Sequence, residues 1–334
     1  MKDSISIIGA GSWGTTLAVY LAKKDVQVKL HSVFKQHNLE MEKERENKTF
    51  LKDVKFPSCL SIEPSLSQTL DEDVILIAIP VKFVRKVLKE IFACQKNFKN
   101  KIFVSVSKGI ELKSLKRVSE IIKEELKTDN IAVLSGPTIA KEVAKGIPTT
   151  AIMAFGQESI GLKLQKLFNS QTFRIYLHSD IAGVELGGSL KNVIALACGI
   201  SDGLGFGTNT KAALVTRGLV EITRLGKQLG AKPKTFWGIS GLGDLMTTCF
   251  SPHSRNRTVG ELIGKGQKLK EITENMNMVA EGIETTKSAY EISKKFKVTM
   301  PIIEQVYAVL YQNKSAYQAV TDLMNRPLKK EKIN

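Results

Sequence analysis

The first half of the chain alternates short apolar runs with stretches whose apolar residues recur at helical spacing. This alternation predicts strands of a mostly parallel sheet joined by crossover helices. The last two runs predict a mixed portion of the sheet, in which periodicity does not determine strand direction. The apolar runs are residues 4–8, 26–30, 74–79, 102–106, 131–134, 150–154 and 173–177.

After about residue 180 the apolar runs give way to long segments with helical periodicity, which predicts an all-α domain. The length of 334 residues fits two domains at about 150 residues each. We therefore predict a doubly wound α/β domain over residues 1–184, an all-helical domain over 185–328 and a flexible tail over 329–334. The candidate helices of the second domain are residues 182–198, 211–229, 284–295 and 301–312.

A glycine motif follows the first predicted strand directly and precedes a helical stretch. Gly9, Gly11 and Gly14 form G-x-G-x-x-G, with Ser12 and Trp13 between the last two glycines. In this context the glycines permit a tight turn, close approach of a pyrophosphate to the backbone and close packing of helix on strand. The motif predicts a Rossmann domain that binds a dinucleotide at a helix N-terminus.

The residues after the second predicted strand bear on the choice of cofactor. A carboxylate there would bond the ribose 2′-hydroxyl of NADH, whereas a basic residue would accept the 2′-phosphate of NADPH. Residues 31–35 (HSVFK) contain no carboxylate, and Lys35 and His37 are basic or titratable. The sequence favours NADPH, with NADH as the alternative.

Three lysine- or glycine-bearing segments are candidates for the substrate site. Lys108, and then Gly136 and Thr138, follow predicted strands, and the carboxyl ends of such strands face the ligand crevice. Lys191 lies about two turns into the first helix of the second domain. A lysine withdrawn from water there has a lowered pKa and can exchange a proton with an alkoxide near neutral pH. Surface lysine is the ordinary alternative for both lysines.

Further along, a carboxylate and an arginine occur in a chain that contains 40 Lys but 9 Arg. Asp244 follows a glycine-rich turn, where helix capping is the ordinary alternative. Arg255 can grip a phosphate through two parallel hydrogen bonds, and Ser254 and Asn256 add neutral donors. This group predicts an anionic substrate.

The basic composition does not indicate nucleic-acid binding. Lys+Arg 49 minus Asp+Glu 33 gives a net charge of +16, but the lysines are scattered and no aromatic platform lies among them. The four cysteines and four histidines show no metal-ligand spacing, so we expect no metal. No apolar run approaches about 18 residues, and no secretory leader is evident. We expect a cytoplasmic protein without integral membrane contact.

Over almost its whole length the chain resembles bacterial NAD(P)-dependent glycerol-3-phosphate dehydrogenases. The family typically has a Rossmann domain followed by an all-helical domain, and it usually forms homodimers. Relatives often carry His or Arg at the position of Val33, so this departure weakens the NADPH assignment. The motifs of the resemblance are IGAGSWGTTLA at 8–18, SVSKGIE at 105–111, SGPTIAKEV at 135–143, ELGGSLKNVIALA at 185–197, GLGDL at 241–245, SPHSRNRTVG at 251–260 and VAEG at 279–282.

The resemblance implies a role for each matching residue. Lys191 would be the proton donor and acceptor, and Lys108 and Asp244 would organise its surroundings. The substrate-binding residues would be Lys108, Gly136, Thr138, Lys191, Asp244, Ser254, Arg255 and Asn256. The cofactor-binding residues would be Gly9, Gly11, Ser12, Trp13, Gly14, Lys108, Ala140, Arg255, Val279 and Glu281.

The reaction implied by the resemblance is the reversible reduction of dihydroxyacetone phosphate to sn-glycerol 3-phosphate, for glycerophospholipid synthesis. Two alternatives share the glycine motif. One is another hydroxy-acid dehydrogenase, of the 6-phosphogluconate or 3-hydroxyacyl type. The other is a non-enzymatic protein that senses a nucleotide or binds nucleic acid, against which the Lys108, Lys191, Asp244 and Arg255 set argues.

Overall fold

A computed structural model of the chain describes residues 3–276, 280–328 and 330–331. The chain divides into two compact units. The first consists of Met1–Ser107 and Val118–Ile181, and the second of Lys108–Arg117 and Ala182–Asn334. Most of the tail 329–334 lies outside the described residues.

The first unit combines strands with helices in alternation, as the sequence predicts. Its strands are β1 Ser4–Ile8, β2 Gln27–His31, β3 Glu46–Asn47, β4 Leu51–Lys55, β5 Leu60–Ile62, β6 Val74–Ile77, β7 Ile102–Ser105, β8 Ile131–Ser135, β9 Thr149–Phe155 and β10 Phe173–His178. Its helices are α1 Ser12–Ala22, α2 Lys35–Glu44, α3 Val81–Cys94, α4 Val118–Leu126, α5 Ala140–Ala144 and α6 Glu158–Phe168.

The described residues of this unit form one eight-stranded sheet and a β3–β4 hairpin. The strand order is β5-β2-β1-β6-β7-β8-β9-β10, and neighbouring strands are parallel except at β8 and β9. The first six strands follow the doubly wound order, which reverses between β1 and β6. The Rossmann prediction is confirmed, and the last two strands run opposite to the others.

Strand β6 explains why its sequence is apolar without alternation. Val74 and Leu76 belong to the core on one face of the sheet, whereas Ile75 and Ile77 belong to the core on the other face. Successive side chains of a strand point to opposite faces, and helices cover both faces of this sheet. Every position of β6 is therefore buried.

The second unit is helical and surrounds one long central helix. Residues 183–201 of this helix are all buried. Its composition and length would suit a membrane span, but 89% of its most apolar window lies inside the protein, as in a core helix. The helices are α7 Ile181–Gly203, α8 Thr208–Gln228, α9 Asp244–Phe250, α10 Arg255–Gly264, α11 Leu269–Glu274, α12 Glu281–Lys295, α13 Pro301–Tyr311 and α14 Ala316–Met324.

One segment lies in a different unit from the one the sequence predicts. Lys108–Arg117 falls within the predicted first domain, 1–184, but packs with the helical unit. Arg117 forms an ion pair of 2.8 Å with Glu185, and Ser189 on α7 donates a hydrogen bond to the Gly109 carbonyl. The periodicity of a local segment does not predict contacts between residues so far apart in the sequence.

A buried carboxylate from α8 binds the backbone N–H groups at the start of helix α13. Glu221 on α8 accepts hydrogen bonds from the backbone N–H groups of Ile302 and Ile303, which lie after Pro301 in the first turn. These donors have no partner within the helix itself, so the carboxylate satisfies them. Burial nevertheless raises the pKa of Glu221 to about 7, against the lowering effect of these hydrogen bonds and of Arg224 and Arg326.

This raised pKa predicts a pH-dependent stability. The folded state binds a proton on Glu221 up to about pH 7, whereas the unfolded chain releases it near 4.5. The favourable contribution is therefore complete below about pH 4.5 and is lost as the pH rises through 7. We expect Glu221→Gln to reduce the loss of unfolding free energy between about pH 5 and pH 8 by about 3 kcal/mol.

Urea unfolding of the parent and the variant at the two pH values measures this difference. Glu274→Gln, in a carboxylate that is 63% exposed, is the matched control and should unfold like the parent. An equal pH slope in the parent and Glu221→Gln would contradict the prediction.

Candidate active site

The glycine loop lies between β1 and α1, and its three glycines occupy three different environments. Gly9 has a φ of +118°, and a Cβ there would lie 2.4 Å from the Ala78 carbonyl oxygen. A Cβ on Gly14 would lie 2.0 Å from the Gly9 carbonyl oxygen. A Cβ on Gly11 would meet nothing within 4 Å. Gly9 and Gly14 are thus required by the protein itself, whereas Gly11 leaves backbone open to a ligand.

The start of α1 fits the pyrophosphate of a dinucleotide. The helix begins at Ser12, and no side chain among the described residues forms a capping hydrogen bond at its N-terminus. Such groups and the helix dipole attract phosphate. Ser12 and the half-buried Trp13 follow Gly11 directly and begin the helix. The residues present therefore fit a dinucleotide in the way that the motif predicts.

A side-chain network missed by sequence reasoning holds this loop in place. Asn47, on the short strand β3, donates hydrogen bonds of 2.8 Å to the Ala10 carbonyl and to the Thr15 hydroxyl. Its amide oxygen is 3.1 Å from His37 Nε2, and His37 Nδ1 is 3.1 Å from the Ser32 hydroxyl. Asn47 is far from the glycines in sequence and belongs to no local motif, so pattern alone offered no signal for it.

The segment after β2 presents two apolar side chains and one lysine to solvent. Val33 and Phe34 are 50% and 67% exposed, and Lys35 is exposed at the start of α2. Both nitrogens of His37 already have partners within the protein. Of the two basic candidates for a 2′-phosphate, Lys35 is the one whose charged group faces solvent.

The SGPT segment follows β8 in the first unit. The Thr138 hydroxyl donates to the Gly136 carbonyl at 3.1 Å, and Gly136 has a φ of +155°. The carbonyl of Ala140, the first residue of α5, accepts a hydrogen bond from Thr16 on α1. The fold therefore ties this segment to the helix that carries the glycine loop.

The second unit contains a buried carboxylate with two lysines. Asp244 is 1% exposed, and its two carboxylate oxygens accept from different ammonium groups. Lys108 Nζ lies 2.6 Å from Oδ2, and Lys191 Nζ contacts Oδ1. Lys191 Nζ also donates to the Thr248 hydroxyl at 2.6 Å. Three residues chosen from separate sequence motifs thus form one cluster.

Thr248 is a member of the cluster that the sequence analysis missed. It lies one turn after Asp244 on α9, and its hydroxyl donates to the Asp244 carbonyl at 2.7 Å. The helical spacing of four residues could have revealed it. Its oxygen is thereby directed to accept from Lys191.

The electrostatics of the cluster give Lys191 a proton affinity suited to neutral pH. Burial is the main reason that the pKa of Lys191 falls from 10.5 to about 7; the charge of Asp244 opposes this lowering, and the charge of Lys108 contributes to it. At such a pKa both the ammonium and the amine forms are populated near pH 7, which is the condition for general acid–base chemistry.

Close helix packing brings Asp244 to Lys191. Gly187 lies one turn before Lys191 on the same face of α7, and a Cβ there would lie 2.7 Å from the Ser240 carbonyl oxygen. Ser240 belongs to a short π-helical segment, Ile239–Gly243, that leads directly into Asp244. The glycine lets this segment cross α7 at a distance from which the carboxylate reaches the lysine.

A second close crossing positions the start of α10. A Cβ on Gly199 of α7 would lie 2.0 Å from the Arg257 carbonyl oxygen, and one on Gly260 of α10 would lie 2.2 Å from the Leu196 carbonyl oxygen. The two backbones therefore pack in direct contact. This packing sets the position of the Ser-Arg-Asn segment at the N-terminus of α10.

The three residues of that segment have distinct surroundings. Ser254 caps α10 by accepting from Arg257 N, which leaves its hydroxyl proton as a donor. The Asn256 amide oxygen accepts from Gly282 N at 2.9 Å, so its amino group is the part that can donate. Desolvation of the Arg255 guanidinium lowers its pKa, and the charge of Glu281 counters that effect. Val279, the remaining predicted cofactor contact, lies outside the described residues.

No metal site accompanies these groups in the described ranges 3–276, 280–328 and 330–331. No three histidine, cysteine, aspartate or glutamate side chains there are arranged to hold a metal ion. The candidate chemistry rests on lysine, aspartate and arginine.

A Rossmann unit with an open glycine loop and a helical unit with a buried lysine of near-neutral pKa define a nicotinamide-dependent oxidoreductase. Family models for the N-terminus and the C-terminus of NAD-dependent glycerol-3-phosphate dehydrogenase match residues 4–160 and 180–321. The chain belongs to this family.

Individual members of the family are similar to this chain over almost their full length. The glycerol-3-phosphate dehydrogenase of Citrifermentans bemidjiense is 49% identical, and the match covers all of both chains. That of Fusobacterium nucleatum is 47% identical over 98% of each chain. The crystal structure of the Coxiella burnetii enzyme superposes with a TM-score of 0.93 at 36% identity, covering 97% of this chain and 99% of that one.

Two glycine substitutions should separate cofactor binding from stability. Gly11→Ala adds a methyl group that would meet no atom of the described residues within 4 Å, so we expect unchanged unfolding and an affinity for NADH or NADPH that is at least about tenfold lower. Gly14→Ala places a methyl group against backbone, so we expect a loss of about 1–3 kcal/mol in unfolding free energy.

Fluorescence titration with each reduced cofactor and urea unfolding provide the two measurements. Each variant is the control for the other. Cofactor binding by Gly11→Ala at parental affinity would show that the open backbone of the loop does not receive the cofactor.

Proposed function

We propose that this protein is an NAD(P)-dependent sn-glycerol-3-phosphate dehydrogenase, which reversibly reduces dihydroxyacetone phosphate to sn-glycerol 3-phosphate. The observation that carries the proposal is the buried cluster in which Asp244 accepts from both Lys108 and Lys191. The reaction needs a proton at the substrate oxygen, and Lys191 is a group that can hold or release one near pH 7.

In this proposal Lys191 is the catalytic acid and base. When bound, the reduced nicotinamide supplies the hydride to the C2 carbonyl carbon. The substrate oxygen then gains negative charge, and the Lys191 ammonium donates a proton to it. In the opposite direction, the neutral amine of Lys191 accepts the proton of the C2 hydroxyl.

Asp244 and Lys108 set the charge around that proton. Asp244 stabilises the Lys191 ammonium, which would otherwise be too strongly disfavoured by burial to protonate near pH 7. Lys108 shares the other carboxylate oxygen and adds positive charge that favours a developing alkoxide. Thr248 accepts a hydrogen bond from Lys191 and thereby orients its Nζ.

The substrate phosphate is assigned to the start of α10. Arg255 offers a bidentate donor, and the Ser254 hydroxyl and the Asn256 amino group offer neutral donors beside it. The positive end of a ten-residue helix adds to this attraction. Binding at this remote group would align the carbonyl for reaction. Gly136 and Thr138 complete the proposed substrate set.

The cofactor assignment follows the glycine loop and the family resemblance. NADPH is the favoured cofactor because residues 31–35 lack a carboxylate and Lys35 is exposed. NADH is the alternative, because Val33 stands where relatives often have a basic residue. The proposed contacts are Gly9, Gly11, Ser12, Trp13, Gly14, Lys108, Ala140, Arg255, Val279 and Glu281.

The cellular assignment has three parts. We propose that the product supplies the glycerol phosphate backbone of membrane phospholipids, that the enzyme acts in the cytoplasm and that it forms a homodimer. These follow from the family resemblance. We propose that the domain boundary lies near residue 184. The first domain would bind the dinucleotide, and the second would provide the residues for substrate chemistry.

An assay with purified protein tests the reaction. We expect oxidation of NADPH, and more slowly of NADH, with dihydroxyacetone phosphate. Dihydroxyacetone lacks the phosphate, and its kcat/KM should be at least about a hundredfold lower because charge-assisted hydrogen bonds are lost. Lys191→Ala should lower kcat by about 10²–10⁴-fold, whereas Lys287→Ala, in an exposed lysine of α12, should behave like the parent.

The outcomes separate the alternatives. A parent protein that reduces NADP+ or NAD+ with 6-phosphogluconate or a 3-hydroxyacyl compound, but does not oxidise NADPH or NADH with dihydroxyacetone phosphate, would belong to the rival dehydrogenases. Cofactor binding without turnover of any of these substrates would indicate a sensing role.

The pH dependence of kcat tests the role of Lys191. Reduction needs the ammonium, so its kcat should fall as the pH rises through about 7; oxidation of sn-glycerol 3-phosphate needs the amine, so its kcat should rise through the same range. The arginine side chain of Lys191→Arg remains protonated, so this variant should lose the oxidation reaction and the inflection near pH 7 in the pH dependence of kcat. Retention of the inflection near pH 7 in Lys191→Arg would assign the proton transfer to another group.

A further inference from the structure

An open cavity lies within the helical unit, and none of the residues of the Lys191 cluster lines it. It has a volume of about 370 Å³ and is bordered by α7, α8, α13 and α14. Its walls are mainly aliphatic, as the side chains of Leu214, Val306, Val309 and Leu323 illustrate. This volume falls in the range of small-molecule sites, which are about 300–1,000 Å³ and mostly apolar.

A buried hydroxyl in the wall lacks a partner. Ser201 on α7 is 2% exposed, and no atom in the described part of the chain hydrogen-bonds to its Oγ. Unsatisfied buried polar groups are uncommon because each loses its hydrogen bonds to water without replacement. The Ser201 hydroxyl is therefore available to accept or donate a hydrogen bond to a ligand in a mainly aliphatic space.

The charged groups of the lining are mainly positive. Arg217, Arg224 and Arg326 line the cavity together with one carboxylate, Glu221. That carboxylate is directed to the N–H groups at the start of α13 and, at its raised pKa, is partly protonated near pH 7. Glu331 lies 3.7 Å from Arg217, but this pair is solvent-exposed and weak. The cavity thus carries a net positive charge.

Helix α14 covers one side of the cavity with little packing of its own. In the described chain, Ala319 is the one residue of this helix that is buried. Its small side chain leaves space beneath the helix, where a larger residue would fill it. The helix therefore borders an aliphatic space that the protein leaves open.

We propose that this cavity binds an anionic amphiphile, a molecule with one aliphatic chain and a carboxylate or phosphate head. The aliphatic walls take the chain, the arginines take the head and the Ser201 hydroxyl takes one oxygen of the ligand. A second copy of the chain fits less well, because an apolar protein surface pressed onto the cavity would desolvate the arginines without pairing them.

Calorimetric titration of the full chain tests the site, with dodecanoate and dodecyl phosphate as probes below their micelle concentrations. We expect saturable binding of both at one site per chain. Dodecyl maltoside, with the same alkyl chain and a neutral head, should bind at least about tenfold more weakly, because the charge-assisted hydrogen bonds are absent. Butyrate, with the charge but a short chain, should not bind measurably. The preferred head identifies a carboxylate or a phosphate source.

Variants locate the binding. Ala319→Leu should fill the space under α14, and Arg217→Gln with Arg326→Gln should remove two charges; each should weaken dodecanoate binding at least about tenfold. Matched controls are Ala93→Leu on an exposed position of α3 and Arg174→Gln on β10, which should bind like the parent. Thermal unfolding by circular dichroism verifies that each variant is folded, independently of any enzyme activity.

Three results would overturn the proposal. One is the absence of saturable binding by either anionic probe. Another is undiminished binding in both the filled and the arginine variants. The third is a change of oligomeric state in Ala319→Leu without binding of any probe to the parent, which would identify the cavity as a contact between copies. The arginine variants alter partly exposed side chains, so the test stands even if Ala319→Leu does not fold.

Discussion

The helical unit depends on one buried carboxylate. Lys191 sits in the middle of a helix whose residues 183–201 are all withdrawn from solvent, and an ammonium there without a partner would be strongly disfavoured. The negative charge of Asp244 compensates for the loss of water around the Lys191 ammonium, and Lys108 donates a hydrogen bond to the second oxygen of the carboxylate. Removing one partner of such a pair typically destabilises a protein by about 3–5 kcal/mol, because the other charge remains buried. The contact with Asp244 thus stabilises both the core and the lysine that we propose as the proton donor.

Backbone packing makes that contact geometrically possible. Gly187 and Gly199 lie on α7, and each lets another segment approach so closely that a side chain would collide with its carbonyl oxygen. The first contact delivers Asp244 to Lys191, and the second sets the position of Arg255 at the start of α10. Packing against α7 therefore positions both the proposed proton donor, Lys191, and the proposed phosphate-binding residue, Arg255. Such rigidity favours catalysis, since aligned groups need not be reorganised during the reaction.

Much of this arrangement could be predicted from sequence because its signals are local. The apolar run at residues 74–79 predicts a strand covered on both faces, and the Gly9–Gly11–Gly14 spacing predicts three separate steric roles. Asn47 could not be predicted, because its contacts with the glycine loop depend on a two-residue strand that has no periodicity. For the same reason Lys108–Arg117 was expected in the first domain: the Arg117–Glu185 ion pair joins positions 68 residues apart.

Titration of the Lys191 Nζ by nitrogen-resolved NMR tests most directly whether the charge of Asp244 sets the proton affinity of this lysine. The Lys191 signal is assigned by its absence from Lys191→Arg. We expect titration near pH 7 in the parent and at a lower pH in Asp244→Asn, where the stabilising charge is gone. Titration of Lys191 near its ordinary value of 10.5 in both proteins would show that Asp244 does not set its proton affinity.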